Sequence, residues 1–333
     1  MAGWLNERSE IHMKKIVILD AYATNPGDIP WDGIAQLGEL TIYDRTPPEL
    51  IVERIGSAQI VISSKVKIGR EVFEQCPNLE YIGLLSTGYD VIDIIAAKEH
   101  GVSVCNVPGY STEAVAQMAF ALLLETTNMV AMHSAAVYDG VWEKGPDWCF
   151  WLRPHVELLG KTMGIIGFGS IGRCAGQIAN AFGMKVLGYS RRKRTEYENE
   201  MTTCADDLEQ IWRESDVILT ACPLSEHTRG IICSENIKKM KDGVIIINIA
   251  RGGLINEADL AEALNSGKVW AFGADVTSTE PIRHDNPLLR AKNCYITPHI
   301  AWVPIETRVR MLNIVEDNLR SYLQGQRKNC VNP

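Results

Sequence analysis

Apolar positions along the chain fall in short continuous runs that alternate with helix-like spacing. In the first hundred residues the runs are 15–20 (KIVILD), 40–43, 59–63 (QIVIS), 79–85 (LEYIGLL) and 102–107. Runs that are apolar on both faces predict strands of a parallel sheet with helices packed on either side. Between them, Thr46-Pro47-Pro48-Glu49 predicts a helix start with Thr46 as N-cap and Glu49 closing a capping box. Residues 93–100 predict another helix, stopped by Gly101. Residues 111–132 are nearly all apolar and predict one long buried helix. The rhythm breaks over 137–160, where Trp142, Trp148, Phe150 and Trp151 gather with two prolines. A second series of strand-like runs follows at 163–166, 185–189, 217–220, 244–249, 269–274 and 295–297, and an amphipathic helix over 305–323 closes it. Two such series predict an α/β protein of two doubly wound, parallel-sheet domains, the second inserted into the first. The expected boundaries are 1–107 plus 299–333 for one domain and 108–298 for the other.

Composition narrows this picture. The 333 residues are 46% hydrophobic and 22% charged, which excludes disorder and collagen-like repeats. The net charge is 33 − 41 = −8, so no overall positive field draws the chain to nucleic acid. No apolar run approaches the roughly 18–20 residues of a membrane span, and no signal-peptide pattern opens the sequence. Neither a nucleic-acid nor a membrane partner is expected. Nine scattered cysteines, an odd number without a C-x-x-C pair, argue against a disulfide framework and a structural zinc site. No metal is expected, and reducing cytoplasm is the expected location. Residues 1–12 are polar and aperiodic and read as a frayed extension.

Chemistry enters at residues 161–172, K-T-M-G-I-I-G-F-G-S-I-G. Gly167, Gly169 and Gly172 form G-x-G-x-x-G after an apolar strand and before a helix expected over 173–182. The first glycine permits a tight turn, the second a close approach of backbone to a pyrophosphate, the third close packing of helix on strand. The helix N-terminus then offers free N–H groups to the phosphates. The next strand ends at Ser190, eighteen residues past Gly172. A ribose 2′-hydroxyl calls for a carboxylate there. The chain instead has Ser190-Arg191-Arg192-Lys193-Arg194, whose guanidiniums suit a 2′-phosphate. NADP(H) is therefore expected over NAD(H), a solvated basic turn being the bland alternative.

Three further segments carry acid–base chemistry. Residues 244–253 (VIIINIARGG) end a buried strand in Arg251, at the sheet edge where open α/β sheets bind ligands. Residues 273–281 (GADVTSTEP) place Asp275 and Glu280 after another strand, and 296–302 (ITPHIAW) place His299 after a third. Histidine exchanges protons near neutrality, and a carboxylate on its far nitrogen would hold the tautomer and favour the imidazolium. Arginine would polarise a carbonyl and grip a carboxylate. Beside a nicotinamide, this set is what reduction of a 2-oxo acid requires.

Together G-F-G-S-I-G, I-A-R-G-G, G-A-D-V-x-S-T-E-P and T-P-H-I-A-W resemble the D-isomer-specific 2-hydroxyacid dehydrogenase family. The first half resembles it too, in 86–93 (STGYDVID), Ala96-Ala97, 101–104 (GVSV) and 106–109 (NVPG). The likeness spans roughly 15–325 in order and is greatest to the glycerate dehydrogenase and hydroxypyruvate reductase group. It implies a Rossmann cofactor domain inserted in a flavodoxin-like substrate domain. By the same resemblance, Arg251 binds substrate, His299 is the general acid/base and Glu280 its partner. Ser86, Thr87 and Gly88 would hold the substrate carboxylate, with Thr87 also facing the nicotinamide. Ser170, Ile171, Ser190, Arg191, Arg192, Cys222, Ile249, Ala250, Arg251, Asp275, His299 and Ala301 would line the cofactor. The aromatic stretch 137–160 corresponds to an arm that embraces a partner in the family's homodimers, an internal flap being the alternative.

Two departures stand out. Ser190 replaces the acidic residue that goes with NAD, and Gln117 stands where many members have Glu. The expected function is reduction of a short 2-oxo acid, hydroxypyruvate or glyoxylate, to the D-2-hydroxy acid. The alternative from another class is a dinucleotide-sensing, corepressor-like binding protein on the same fold. Formate oxidation pairs its histidine with Gln, and Glu280 argues against it.

Overall fold

A computed structural model of the protein describes residues 13–333; the extension expected over 1–12 lies outside the described residues. The chain divides into two compact units. One comprises residues up to Tyr110 together with Val303–Pro333, the other Ser111–Trp302. The first unit holds β1 (Lys15–Ile18), β2 (Glu39–Ile42), β3 (Ile60–Ser63), β4 (Tyr81–Leu84) and β5 (Ser103–Cys105). Their order is β2-β1-β3-β4-β5, with every pairing parallel, as in flavodoxin.

The second unit holds β6 (Thr162–Ile166), β7 (Lys185–Tyr189), β8 (Thr202–Cys204), β9 (Val217–Thr220), β10 (Val244–Asn248), β11 (Val269–Ala274) and β12 (Cys294–Ile296). All pairings are again parallel, in the order β12-β11-β10-β9-β6-β7-β8. This is the Rossmann order with one added strand, and it reverses direction between β6 and β9. Every residue of β3, β4, β9 and β10 is buried, which is why these strands read as unbroken apolar runs.

The seams lie at 110/111 and 302/303, each a few residues beyond the expected boundary, so His299 belongs to the second unit. The cause is Asp275, just past β11. Its buried carboxylate accepts hydrogen bonds from Thr297 Oγ1 (2.5 Å), Ile300 N (2.9 Å) and Ala301 N (2.8 Å), tying the 297–301 loop to the β11 end.

Local expectations were corrected in four places. The helix expected over 111–132 is two, Thr112–Asn128 and Val130–Tyr138, bent by 56°. Thr126 and Thr127 hydroxyls donate back to the Leu123 carbonyl, and Met129 takes the left-handed conformation at φ 49°. Among the described residues, no single helix is long and apolar enough to cross a membrane. The capping box at 46–49 does not form, because Thr46 Oγ1 donates to Leu19 O (2.5 Å) and Pro47 takes the N-cap position. The three-residue β8 has too little apolar pattern to be legible, and the helix after the glycine turn starts earlier, at Ser170.

Candidate active site

Gly167 follows β6 at φ 105°, and a Cβ there would lie 2.4 Å from Cys222 N, so the β6 turn runs directly against the backbone after β9. A Cβ at Gly172 would lie 2.2 Å from the Gly167 carbonyl oxygen, whereas Gly169 faces open space. The Ser170–Ala181 helix begins on Gly169 with no side-chain cap, leaving its first N–H groups to an outside acceptor. A bare-backbone cradle at a helix N-terminus, beside the point where strand order reverses, fits the pyrophosphate of a dinucleotide. Ile171 is half-buried and the Cys222 side chain is buried, its thiol pushed up by burial.

At the end of β7, Ser190 Oγ donates to Arg192 O (2.6 Å), closing a turn without a carboxylate. Lys193 pairs with Asp206 (2.6 Å) and Arg194 with Glu196 (3.4 Å). Arg191 and Arg192 are exposed and make no ion pair among the described residues, so two of the four basic side chains point to no internal partner.

The acid–base residues converge on loops after β10, β11 and β12. His299 Nδ1 lies 2.7 Å from Glu280 Oε2. A carboxylate there accepts the Nδ1 proton and leaves Nε2 as the exchanging nitrogen. Glu280 Oε1 also accepts from Thr277 N (3.2 Å). His299 sits at φ 57°, a left-handed conformation costing a non-glycine residue about 1–2 kcal/mol. It is held there by the bonds of Asp275 to the next two amides and by Trp302 Nε1 donating to His299 O (2.9 Å). Asp275 is thus committed to the loop and acts on the site through His299. Ala301 is buried with it.

Arg251 is exposed, with Nη1 on its neighbour's Ala250 O (2.8 Å). Its turn is organised by Asn248, fully buried at the end of β10. Asn248 Oδ1 accepts from Thr220 Oγ1 (2.8 Å) and Ala250 N (3.1 Å), and Nδ2 donates to Arg251 O (3.0 Å). Sequence reasoning missed Asn248 and Thr220; a polar residue ending each of two adjacent apolar strands was the available signal. It also missed Glu257, whose carboxylate accepts from Ser278 N (2.8 Å), Ser278 Oγ (2.6 Å) and Asn286 Nδ2 (2.9 Å) and anchors the loop bearing Glu280. Ile249 is buried beneath the same turn.

In the first unit, residues 86–88 follow β4. Ser86 Oγ donates to Gly88 O and Thr87 Oγ1 to Val107 O (both 2.6 Å), while Asn106 Nδ2 donates to Thr87 O (2.7 Å). The N–H groups of 86–88 make no hydrogen bond within the chain among the described residues, the arrangement of an anion-binding turn.

A Rossmann unit carrying a bare phosphate cradle, with a histidine–carboxylate pair on its strand ends, defines the class of nicotinamide-dependent dehydrogenases. The comparisons narrow the class. Residues 120–301 match the model of the D-isomer specific 2-hydroxyacid dehydrogenase NAD binding domain. A hydroxypyruvate reductase of Blautia hydrogenotrophica is 53% identical over 321 residues, covering 96% of this chain and 99% of the relative. A glycerate dehydrogenase of Methylorubrum extorquens is 35% identical, covering 87% and 90%. Among solved structures, an NADPH-dependent glyoxylate/hydroxypyruvate reductase of Sinorhizobium meliloti, in complex with NADP and malonate, superposes with a TM-score of 0.81 at 25% identity, covering 96% and 97%. The chain belongs to the D-isomer-specific 2-hydroxyacid dehydrogenase family and is an NAD(P)-dependent oxidoreductase of that family.

Proposed function

We propose that the protein reduces hydroxypyruvate to D-glycerate, or glyoxylate to glycolate, as a hydroxypyruvate reductase. The observation that carries this reading is the 2.7 Å His299–Glu280 pair in a chain 53% identical to a hydroxypyruvate reductase over nearly its whole length. A bound nicotinamide supplies hydride to the carbonyl carbon. His299 Nε2 gives its proton to the carbonyl oxygen as charge develops there, and Glu280 stabilises the imidazolium that does so. Arg251 polarises the carbonyl and holds the substrate carboxylate, a task its planar fork suits. Gly167, Gly169, Ser170, Ile171 and Gly172 are assigned to the pyrophosphate, and Cys222, Ile249, Ala250 and Ala301 to the lining of the cofactor site.

NADPH is the proposed cofactor, because Ser190 offers no carboxylate and Arg191 and Arg192 are exposed and make no ion pair among the described residues. Absorbance at 340 nm with NADPH or NADH and a panel of hydroxypyruvate, glyoxylate, pyruvate and phenylpyruvate tests both points. Turnover with one of the first two, and a higher kcat/KM for NADPH, is the expected result. Cofactor binding with no turnover on any acid would favour the corepressor-like reading. A clear NADH preference would overturn the cofactor assignment alone.

Glu280→Gln is expected to lower kcat for reduction while dinucleotide binding is kept, because the charge that develops on the ring loses the carboxylate 2.7 Å from Nδ1. A kcat equal to that of the wild type would remove Glu280 from this role.

The stretch 137–160 exposes Tyr138 (89%), Trp148 (86%) and Trp151 (70%). Such aromatic surface is the mark of an interface, and we assign it to a homodimer. Trp148→Ser with Trp151→Ser should shift the sedimentation coefficient toward that of a monomer. A wild-type protein that already sediments as a monomer at micromolar concentration contradicts the assignment. The nine free thiols fit the reducing cytoplasm as its location.

A further inference from the structure

Residues 329–332, beyond the Ile305–Leu323 helix, run antiparallel to β5 and cover the edge of the five-stranded sheet. Val331 N donates to Val104 O (2.8 Å) and Asn106 N to Asn329 O (3.1 Å). These bonds flank one directly opposed pair, Cys105 and Cys330. An antiparallel pair flanked in this way is the narrow, non-hydrogen-bonded kind, with Cα atoms about 4.5 Å apart and side chains on the same face. A disulfide spans Cα separations of about 4.4–6.8 Å. Both cysteines are free thiols, Cys105 buried and Cys330 partly exposed.

The surroundings hold the pair in register. Asn332 accepts from Val104 N and donates to Val102 O (both 2.9 Å), and Cys330 Sγ donates to Asn332 Oδ1 (3.4 Å). Asn329 Nδ2 donates to Asn318 Oδ1 (2.8 Å). Burial, and next the neighbouring Cys330 sulfur, push the Cys105 thiol up to about 12. Cys330, the partly exposed sulfur, is the one a peroxide reaches first, and the buried Cys105 the one that resolves.

We propose that Cys105 and Cys330 form an oxidative modification site, closing an intramolecular disulfide in the presence of a peroxide. The Cys330 thiolate attacks one peroxide oxygen, the O–O bond breaks, and hydroxide leaves, taking up the thiol proton as water. Cys105 sulfur then attacks the sulfenic sulfur; the S–S bond forms and a second water departs. Two thiols lose two electrons and two protons, and hydrogen peroxide becomes two waters. The bond staples residues 329–332 over an otherwise open sheet edge. It also fixes the start of the segment in which Asn106 and Val107 support Thr87. Closing a loop of more than 200 residues restricts the unfolded chain strongly.

The test treats the reduced full-length protein with a small excess of hydrogen peroxide, blocks residual thiols, and maps peptides by mass without reduction. A cross-linked peptide pair containing Cys105 and Cys330 is expected, two hydrogens lighter than the separate peptides and cleaved by dithiothreitol. The melting temperature should rise by about 5 °C on oxidation, and neither change should occur in Cys330→Ser. Cys330 carried instead to sulfinic acid, paired with another cysteine, or left unreacted in folded wild-type protein would overturn the proposal. A cross-link with no rise in melting temperature would overturn the stapling.

Discussion

His299→Ala is expected to lower kcat for 2-oxo acid reduction by about 10³-fold, within the 10²–10⁴ range of a lost general acid. Dinucleotide binding, measured by NADPH fluorescence, should stay within about two-fold, because the cradle at Gly167, Gly169 and Gly172 lies on a different loop. The imidazole is placed by more than its partner carboxylate. Its backbone is held left-handed by Asp275 and Trp302, so alanine removes the proton donor while the loop keeps its bonds. Retention of more than a tenth of the wild-type kcat would exclude His299 as the general acid.

The second large effect is expected at Gly252, next to Arg251. A Cβ there would lie 1.9 Å from the carbonyl carbon of Thr277, 2.0 Å from its oxygen and 2.3 Å from Ser278 N. All three are backbone atoms of the loop that carries Glu280, and Glu257 ties that loop down through Ser278. Neither side can give without separating the arginine turn from the histidine's partner. Gly252→Ala should therefore destabilise the protein by about 3 kcal/mol, at the upper end for overpacking, and abolish most activity. Gly253→Ala is the control, because its Cβ would meet first the Leu224 side chain, at 2.9 Å, which can rotate away. Its melting temperature should fall by less than a third as much. Equal losses at the two positions would show that the Thr277 backbone is not the obstacle.

Both predictions turn on contacts of different legibility. His299, Glu280 and Arg251 stand out in the sequence because each follows an apolar strand run, and parallel strands deliver their C-terminal ends to one edge. The glycine turn is legible for the same reason, since strand, turn and helix are local in the chain. Asn248 and Thr220 carry only the weak signal of a polar residue closing an apolar strand, and Glu257 carries none. Their partners lie 28 residues away for Thr220 with Asn248, and 21 for Ser278 with Glu257, so the local pattern does not say which residues they join. Asp275 was read as lining the cofactor, but its oxygens are taken up by the 297–301 loop. That choice among possible partners is made by packing.

The alternation of apolar runs, the glycine spacing and the residues ending each strand were enough to settle the α/β class, the dinucleotide turn and the family, because all of these are set by neighbours along the chain. The seams at 110/111 and 302/303, the broken helix at Met129 and the opposed Cys105–Cys330 pair came from folding. Each depends on which distant backbone groups compete for a bond. A one-dimensional pattern shows what each residue can offer, and the folded chain selects which offer is taken.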